Sequence, residues 1–279
     1  MSDGVHNAPK EIKQAGTKSE RIREFVDFVF PILLLVLIWE AVARAEIVNP
    51  VLLPPASKVF VSIVHYLTPS GHFLLEKHIE LSIYRLGVGF IIAAVTGVAL
   101  GTAMGMFGPV YKFFTPILSM LMPIPSIAWV PIVILWLGLG NATPIFIVFF
   151  TAIFPILYNT STGVRSIDHR HIWAAKTMGA SNRQVFFSVV LPGALAYTII
   201  GLKIGLASGW RALVAAEMLS ATTYGLGFMI FEAKEFLQIE IMYAGIVCLA
   251  VLGFILENAI FGFVENKTLK RWGVIKDVS

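Results

Sequence analysis

The chain has 279 residues, 57% of them hydrophobic and only 14% charged, with a mean hydropathy of +0.81. Soluble globular domains carry about 25% charged residues and disordered chains are poor in apolar ones, so both classes are excluded. Cys248 is the single cysteine, which rules out an intrachain disulfide, and the net charge of +4 says nothing about partners until its placement is known.

Residues 1–27 form a polar tail with five basic residues, and the apolar run 28–43 that follows is short and contains Glu40. Ala41-Val42-Ala43 resembles a signal-peptidase site, but the polar lead is too long and Glu40 abuts the cut, so 28–43 reads as an uncleaved first span. Residues 47–82 carry Pro54-Pro55, a candidate amphipathic helix over 57–67 and a polar helix around 76–80. They read as an interfacial cap outside the membrane. Residues 86–111 contain no charge and predict the second span.

From 113 to 164 there is again no Asp, Glu, Lys or Arg. At about 1.5 Å per residue this stretch is more than twice a hydrocarbon core of about 30 Å, so it crosses twice, over 113–138 and 142–162. Gly138, Gly140 and Asn141, followed by Pro144, mark the fold-back. A polar loop, 165–192, separates these spans from 194–219 and 241–264, and 265–279 is a second polar tail. A helix from Asn182 that stops at Pro192 would be about 15 Å long, too short to cross. The expectation is an all-α membrane protein of six transmembrane helices.

Of the 21 Lys and Arg, 14 lie in segments that this topology places on one side: the N-terminal tail, Lys112, 165–183 and the C-terminal tail. Five lie on the other side (Arg44, Lys58, Lys77, Arg85 and Lys234), while Lys203 and Arg211 fall inside the fifth span. By the positive-inside rule both termini are cytoplasmic. The basic balance is therefore topology rather than a nucleic-acid surface.

The loop is patterned as helix, glycine elbow, helix. Asp168 can cap the first helix, Gly179 can end it in the left-handed region, and Ser181 with Gln184 fits a capping box for the second. Trp173, Met178, Val185 and Phe186 give this knuckle apolar surface that asks for a cover.

Within it, Ala174-Ala175, Gly179, Val189, Leu191 and Pro192 stand at the spacings of the EAA motif of binding-protein-dependent ABC importer permeases, with Trp173 in place of the motif's Glu. NPVLLPPASKV from Asn49, MPIPSIAWVPIVILWLGLG from Met122, GASNRQVFFSVVLPGAL from Gly179 and GWRALVAAEML from Gly209 extend the likeness. Over about residues 28–265 the chain resembles the nitrate, sulfonate and taurine permease group. This resemblance implies a type I ABC importer permease fold in the bacterial inner membrane. It further implies a permease dimer on two cytoplasmic ATP-binding subunits, fed by an external solute-binding protein. The loop's first helix, Asp168 to Met178 with Gly179, would be the coupling helix. No phosphate-binding GxxxxGK[ST] motif occurs, so ATP and Mg are assigned to the partner subunit, with no cofactor and no enzymatic activity in this chain.

Pro123, Pro125 and Pro131 interrupt the third span near mid-depth, and a half-helix restarting at Ser126 would aim its positive end at an anion, making Ser126 and Trp129 pathway candidates. Lys203 either forms a structural ion pair with Glu40 or lines the pathway. Arg211, beside Trp210, either meets an anionic solute at the outer gate or pairs with Glu217. Small residues recur every fourth position at Ala93, Gly97, Gly101, Gly105 and at Gly201, Gly205, Gly209, which predicts close helix contacts. The histidines show no metal-binding spacing.

The alternative is an autonomous secondary carrier or channel for small anions, disfavoured because neither a duplicated half nor an acidic relay is visible. Nitrate, bicarbonate, taurine, sulfonates and organic acids remain open as solutes. Epitope tags after Lys267 and near Arg170 should be protected in intact cells and a tag at Gly71 exposed. A protected Gly71 tag defeats the six-span topology.

Overall fold

The computed structural model describes residues 18–68 and 74–260. Gly71, Lys267 and the tails over 1–17 and 261–279 lie outside them. No strand occurs among the described residues. By internal packing the chain divides into two units, 1–58 and 59–279.

The first unit is dominated by α1 (Lys18–Arg44). Its apolar stretch, Val26–Arg44, is 19 residues long, which suffices to cross the hydrocarbon, and most of its large side chains are exposed. The connection after α1 is tied down locally. The Trp39 indole N–H donates to the Pro54 carbonyl (3.0 Å), and the Glu40 carboxylate accepts from Arg44 Nε (2.6 Å), Ser57 Oγ (2.9 Å) and the Ser57 N–H (3.0 Å). Glu40 thus takes partners within its own unit. α2 (Ala56–Tyr66) starts beside this link.

The second unit is a bundle built around α6 (Ala142–Arg165), which lies between α3 (Leu74–Met106) and α9 (Leu191–Ser220). Glycine makes this possible. A Cβ added at Gly97 of α3 would come within 2.9 Å of Ile156 Cγ2, and one at Gly205 of α9 within 2.8 Å of Ile156 Cγ1. The two small-residue stripes therefore grip α6 from two sides, the close approach that apolar solvent favours when it offers no hydrophobic drive.

α3 begins twelve residues before the uncharged run. Arg85, placed by sequence in an external segment, is instead wholly buried inside this helix. α4 (Gly108–Leu121) and α5 (Val130–Leu137), joined through a 3-10 turn over Ser126–Trp129, are bent by 90°. Among the described residues there are five helices long and apolar enough to cross a membrane, or up to six spans with this pair counted as one. The expected fold-back follows, with Gly138 and Gly140 at φ 76° and 117°.

After the loop helix α7 (His169–Thr177), α8 (Asn182–Val185) runs through a π-turn over Phe186–Val190 directly into α9, so that 182–220 is one continuous helical segment. Pro192 does not stop the chain as the sequence predicted. It occupies the first turn of α9, and the wide π-turn before it absorbs the missing N–H. α10 (Leu226–Glu235) and α11 (Ile239–Ile255) close the bundle.

The glycine grip makes a direct contrast. Gly97→Ala should overpack α6 and lower stability by about 1–3 kcal/mol. Gly87→Ala on the same helix has nothing within 4 Å of the new methyl and should be neutral or slightly stabilising. Melting temperatures of the purified variants in one detergent test this, and equal melts would remove the packing role of the stripe.

Candidate functional site

Three places carry the chemistry of the second unit. The first is the loop knuckle. Asp168 caps α7 by accepting from the Arg170 N–H (2.9 Å), Gly179 leaves it at φ 85°, and Ser181 and Gln184 close a reciprocal capping box on α8. Below them Val164, Val185, Val190 and Ala194 form a small core with Ile172, Ala175 and Phe186 against it. Val185 and Phe186 therefore hold the knuckle together from inside and are not docking surface, contrary to the sequence reading. What the knuckle presents outward is Ala174, Trp173 (66% exposed), Met178 (82%) and the Gly179 elbow, with His169 stacked on Trp173. Pro192 is half-buried behind it.

The second is the break between α4 and α5. Met122-Pro-Ile-Pro links the half-helices, and Met122, Ile124 and Ile127 are exposed. Ser126 is half-buried, and Trp129 packs on Phe150 of α6 at 5.2 Å with its indole N–H buried and unpartnered. α5 is anchored by Val130 and Val133 against Ile147, Ala212 and Ala216.

The third, invisible to the sequence reading, is a buried polar cluster at the end of the bundle away from the knuckle. Glu217 Oε1 accepts from Arg85 Nη1 (2.7 Å), and Oε2 accepts from the Gly227 N–H (3.0 Å). The Ser82 hydroxyl, 2.9 Å from both oxygens, itself accepts from the Leu226 N–H (2.9 Å). Arg85 Nε and Nη2 both donate to Asn141 Oδ1 (3.0 and 2.7 Å). His78 Nδ1 meets the Gly225 backbone, and Gly225 at φ 148° has no room for a Cβ beside Arg85 and Glu217. With both charges fully buried, the cluster ties α3, the start of α6, α9 and the turn into α10. Arg85 and Glu217 lie 132 residues apart, and a single uncharged-run count reads Arg85 as loop. The GLG at 225–227 after Glu217 was the available signal.

The remaining pathway candidates disperse. Glu217 pairs with Arg85, so it does not pair with Arg211. Arg211 is exposed nine residues before the end of α9 and faces Glu257 (3.9 Å) and Ser208 (3.4 Å). Trp210 lies inside the main core, with its indole edge against Gly253. Lys203 is half-buried on α9.

Apolar helices of spanning length and a broken span define a helical membrane protein. Residues 89–268 match the family described as the binding-protein-dependent transport system inner membrane component, and the chain belongs to it as a permease subunit of an ABC importer. It is 36% identical over 225 residues to the taurine transport system permease protein TauC of Escherichia coli, covering 80% of this chain and 82% of that one. It is 35% identical to the nitrate import permease protein NrtB of Synechocystis, over 69% of each chain. The MetNI methionine ABC transporter, in an inward-facing structure, shares the fold with a TM-score of 0.60 at 19% identity, over 73% of this chain and 97% of that one. The all-α, type I importer permease fold and the inner-membrane location follow.

Removing one side of the buried pair should be severe. Arg85→Met or Glu217→Met alone should destabilise the protein by about 3–5 kcal/mol because each strands a charge, while the double variant should lose less than the sum of the two. Thermal melts in detergent measure the cycle, and strict additivity would show that the pair is not coupled.

Proposed function

We propose that two copies of this chain stand on two cytoplasmic ATP-binding subunits, and that they pass a small anion delivered by an external solute-binding protein. The observation that carries the reading is the knuckle. Two large apolar side chains and a glycine elbow are held outward on a loop by a core of their own, a geometry that a linker does not need and a docking element does. Asp168, Trp173, Ala174, Ala175, Met178, Gly179 and Pro192 form or support this contact. ATP and Mg bind on the partner.

The anion follows from the relatives. Taurine, aliphatic sulfonates, nitrate and bicarbonate, named for permeases similar to this chain, are sulfonates or oxyanions. The path runs by the broken span, where Ser126 and Trp129 border backbone freed by prolines, a feature tolerated in a membrane only within protein or against water. Arg211 supplies positive potential from α9.

One reconstitution tests both parts. In proteoliposomes with the ATPase and the binding protein, Gly179→Val forces a β-branched residue into a left-handed backbone although no atom lies within 4 Å of its Cβ. Solute-stimulated ATP hydrolysis and uptake should fall at least about tenfold with assembly of the complex impaired at the loop. Arg211→Gln should lower anion uptake severalfold and leave basal ATP hydrolysis unchanged. Normal coupling in Gly179→Val overturns the docking role, and native uptake in Arg211→Gln removes Arg211 from the path.

A further inference from the structure

α6 ends in a polar stripe. Tyr158, Ser161 and Arg165 stand three and four residues apart, so they share one face of the helix. Opposite them α4 presents Tyr111, Thr115 and Ser119 at fourfold spacing. Between the two helices lies a cavity of about 390 Å³, lined by these six residues together with the apolar Met104, Leu118 and Met122 and the hydroxyl residues Thr162 and Ser166, and running from Met122 at the break to Arg165 at the knuckle end. No Asp or Glu lines it.

Two features of this cleft are unspent. Ser161 is only 3% exposed, yet its hydroxyl has no hydrogen-bond partner, whereas the neighbouring hydroxyls of Thr115, Thr162 and Ser166 all donate to backbone carbonyls within their own helix turns. A buried hydroxyl left unpaired is destabilising, and natural proteins keep few of them without a role. The Arg165 guanidinium carbon lies over the Tyr111 ring, 4.0 Å from the centroid, and among the described residues no carboxylate pairs with it. A contact over a ring consumes none of the guanidinium N–H donors, and a guanidinium with free donors can grip an oxyanion with two parallel hydrogen bonds.

We propose that this cleft is a binding site for a small free oxyanion of the sulfate, sulfonate or nitrate type. Arg165 supplies the charge and a bidentate edge, and the Ser161 hydroxyl, one helical turn deeper, donates to a further oxygen. The distance along α6 between the two residues is about 6 Å, which an oxyanion and its nearest oxygens span. The volume is at the lower end of the range for small-molecule sites, about 300–1,000 Å³, and suits a solute of this size rather than a two-chain lipid. The site lies on the knuckle side of the break. Its service as an inward-side station for the transported anion rests on the function proposed above, while the binding itself does not.

The test is equilibrium binding of [35S]sulfate to the full-length chain, assembled with its ATP-binding subunits in phosphatidylcholine nanodiscs at constant ionic strength. One saturable site per permease chain is expected. Arg165→Gln should weaken it at least about tenfold, Ser161→Ala severalfold, and Arg165→Lys less than Arg165→Gln because a point charge remains. Arg170→Gln, at an exposed arginine on α7 that pairs with Asp168 outside the cavity, should leave it unchanged. Absence of saturable sulfate binding, or equal affinity in Ser161→Ala and in whichever Arg165 variant folds, overturns the assignment. Replacing the lipid by phosphatidylglycerol separates the sources of anion: if that lipid abolishes sulfate binding and soluble glycerol phosphate does not, the occupant is a lipid phosphate and the free-anion site is wrong. Loss of coupling in Gly179→Val with sulfate binding intact keeps the two proposals apart.

Discussion

Everything in the second unit is positioned by the approach of α6 to two glycine-bearing helices at once. Apolar side chains of α6 cannot be drawn to α3 and α9 by the hydrophobic effect, because lipid solvates them equally well. What holds the three helices is van der Waals contact at short range, and that contact exists because Gly97, Gly101 and Gly105 on one side and Gly201 and Gly205 on the other carry no Cβ. With α6 seated, the side chains at its two ends acquire fixed neighbours: Asn141 beside Arg85 at one end, and Arg165 over Tyr111 at the other.

The buried pair of Arg85 and Glu217 uses that precision. Taking two charges out of water is unfavourable, and their attraction compensates only when every remaining donor and acceptor is engaged. Here Ser82, Asn141 and the N–H groups of Leu226 and Gly227 engage them. The same bonds hold the turn between α9 and α10 in a shape that requires glycine at 225. A bundle assembled from short-range packing thus gains one directional fastening, at the end remote from the knuckle.

The loop knuckle and the broken span hang on the same two helices. The knuckle's small core includes Val164 from the end of α6 and Ala194 from the start of α9, while the half-helix α5 beyond the break packs on Ile147 of α6 and Ala212 and Ala216 of α9. The loop and the half-helix beyond the break therefore share their attachment to α6 and α9. The cavity between α4 and α6 occupies the space along the same line.

The helical membrane class, the position of most long apolar helices, the fold-back at Gly138 and Gly140, and the capping of the loop were all readable from sequence, because each depends on residues within about one or two turns of one another: uncharged runs, a cap and its third neighbour, a glycine after a helix. The same local logic misread Pro192, whose missing donor is absorbed by a π-turn, and Val185 and Phe186, whose apolar surface is covered by the loop's own core. For Glu217 the sequence offered Arg211 as one alternative partner, whereas its partner Arg85 lies 132 residues away. Hydropathy and spacing say that a charge in an apolar run must be compensated. Which residue compensates it depends on how α3, α6 and α9 rotate about their axes as the glycine stripes close, and only the packed bundle sets those rotations.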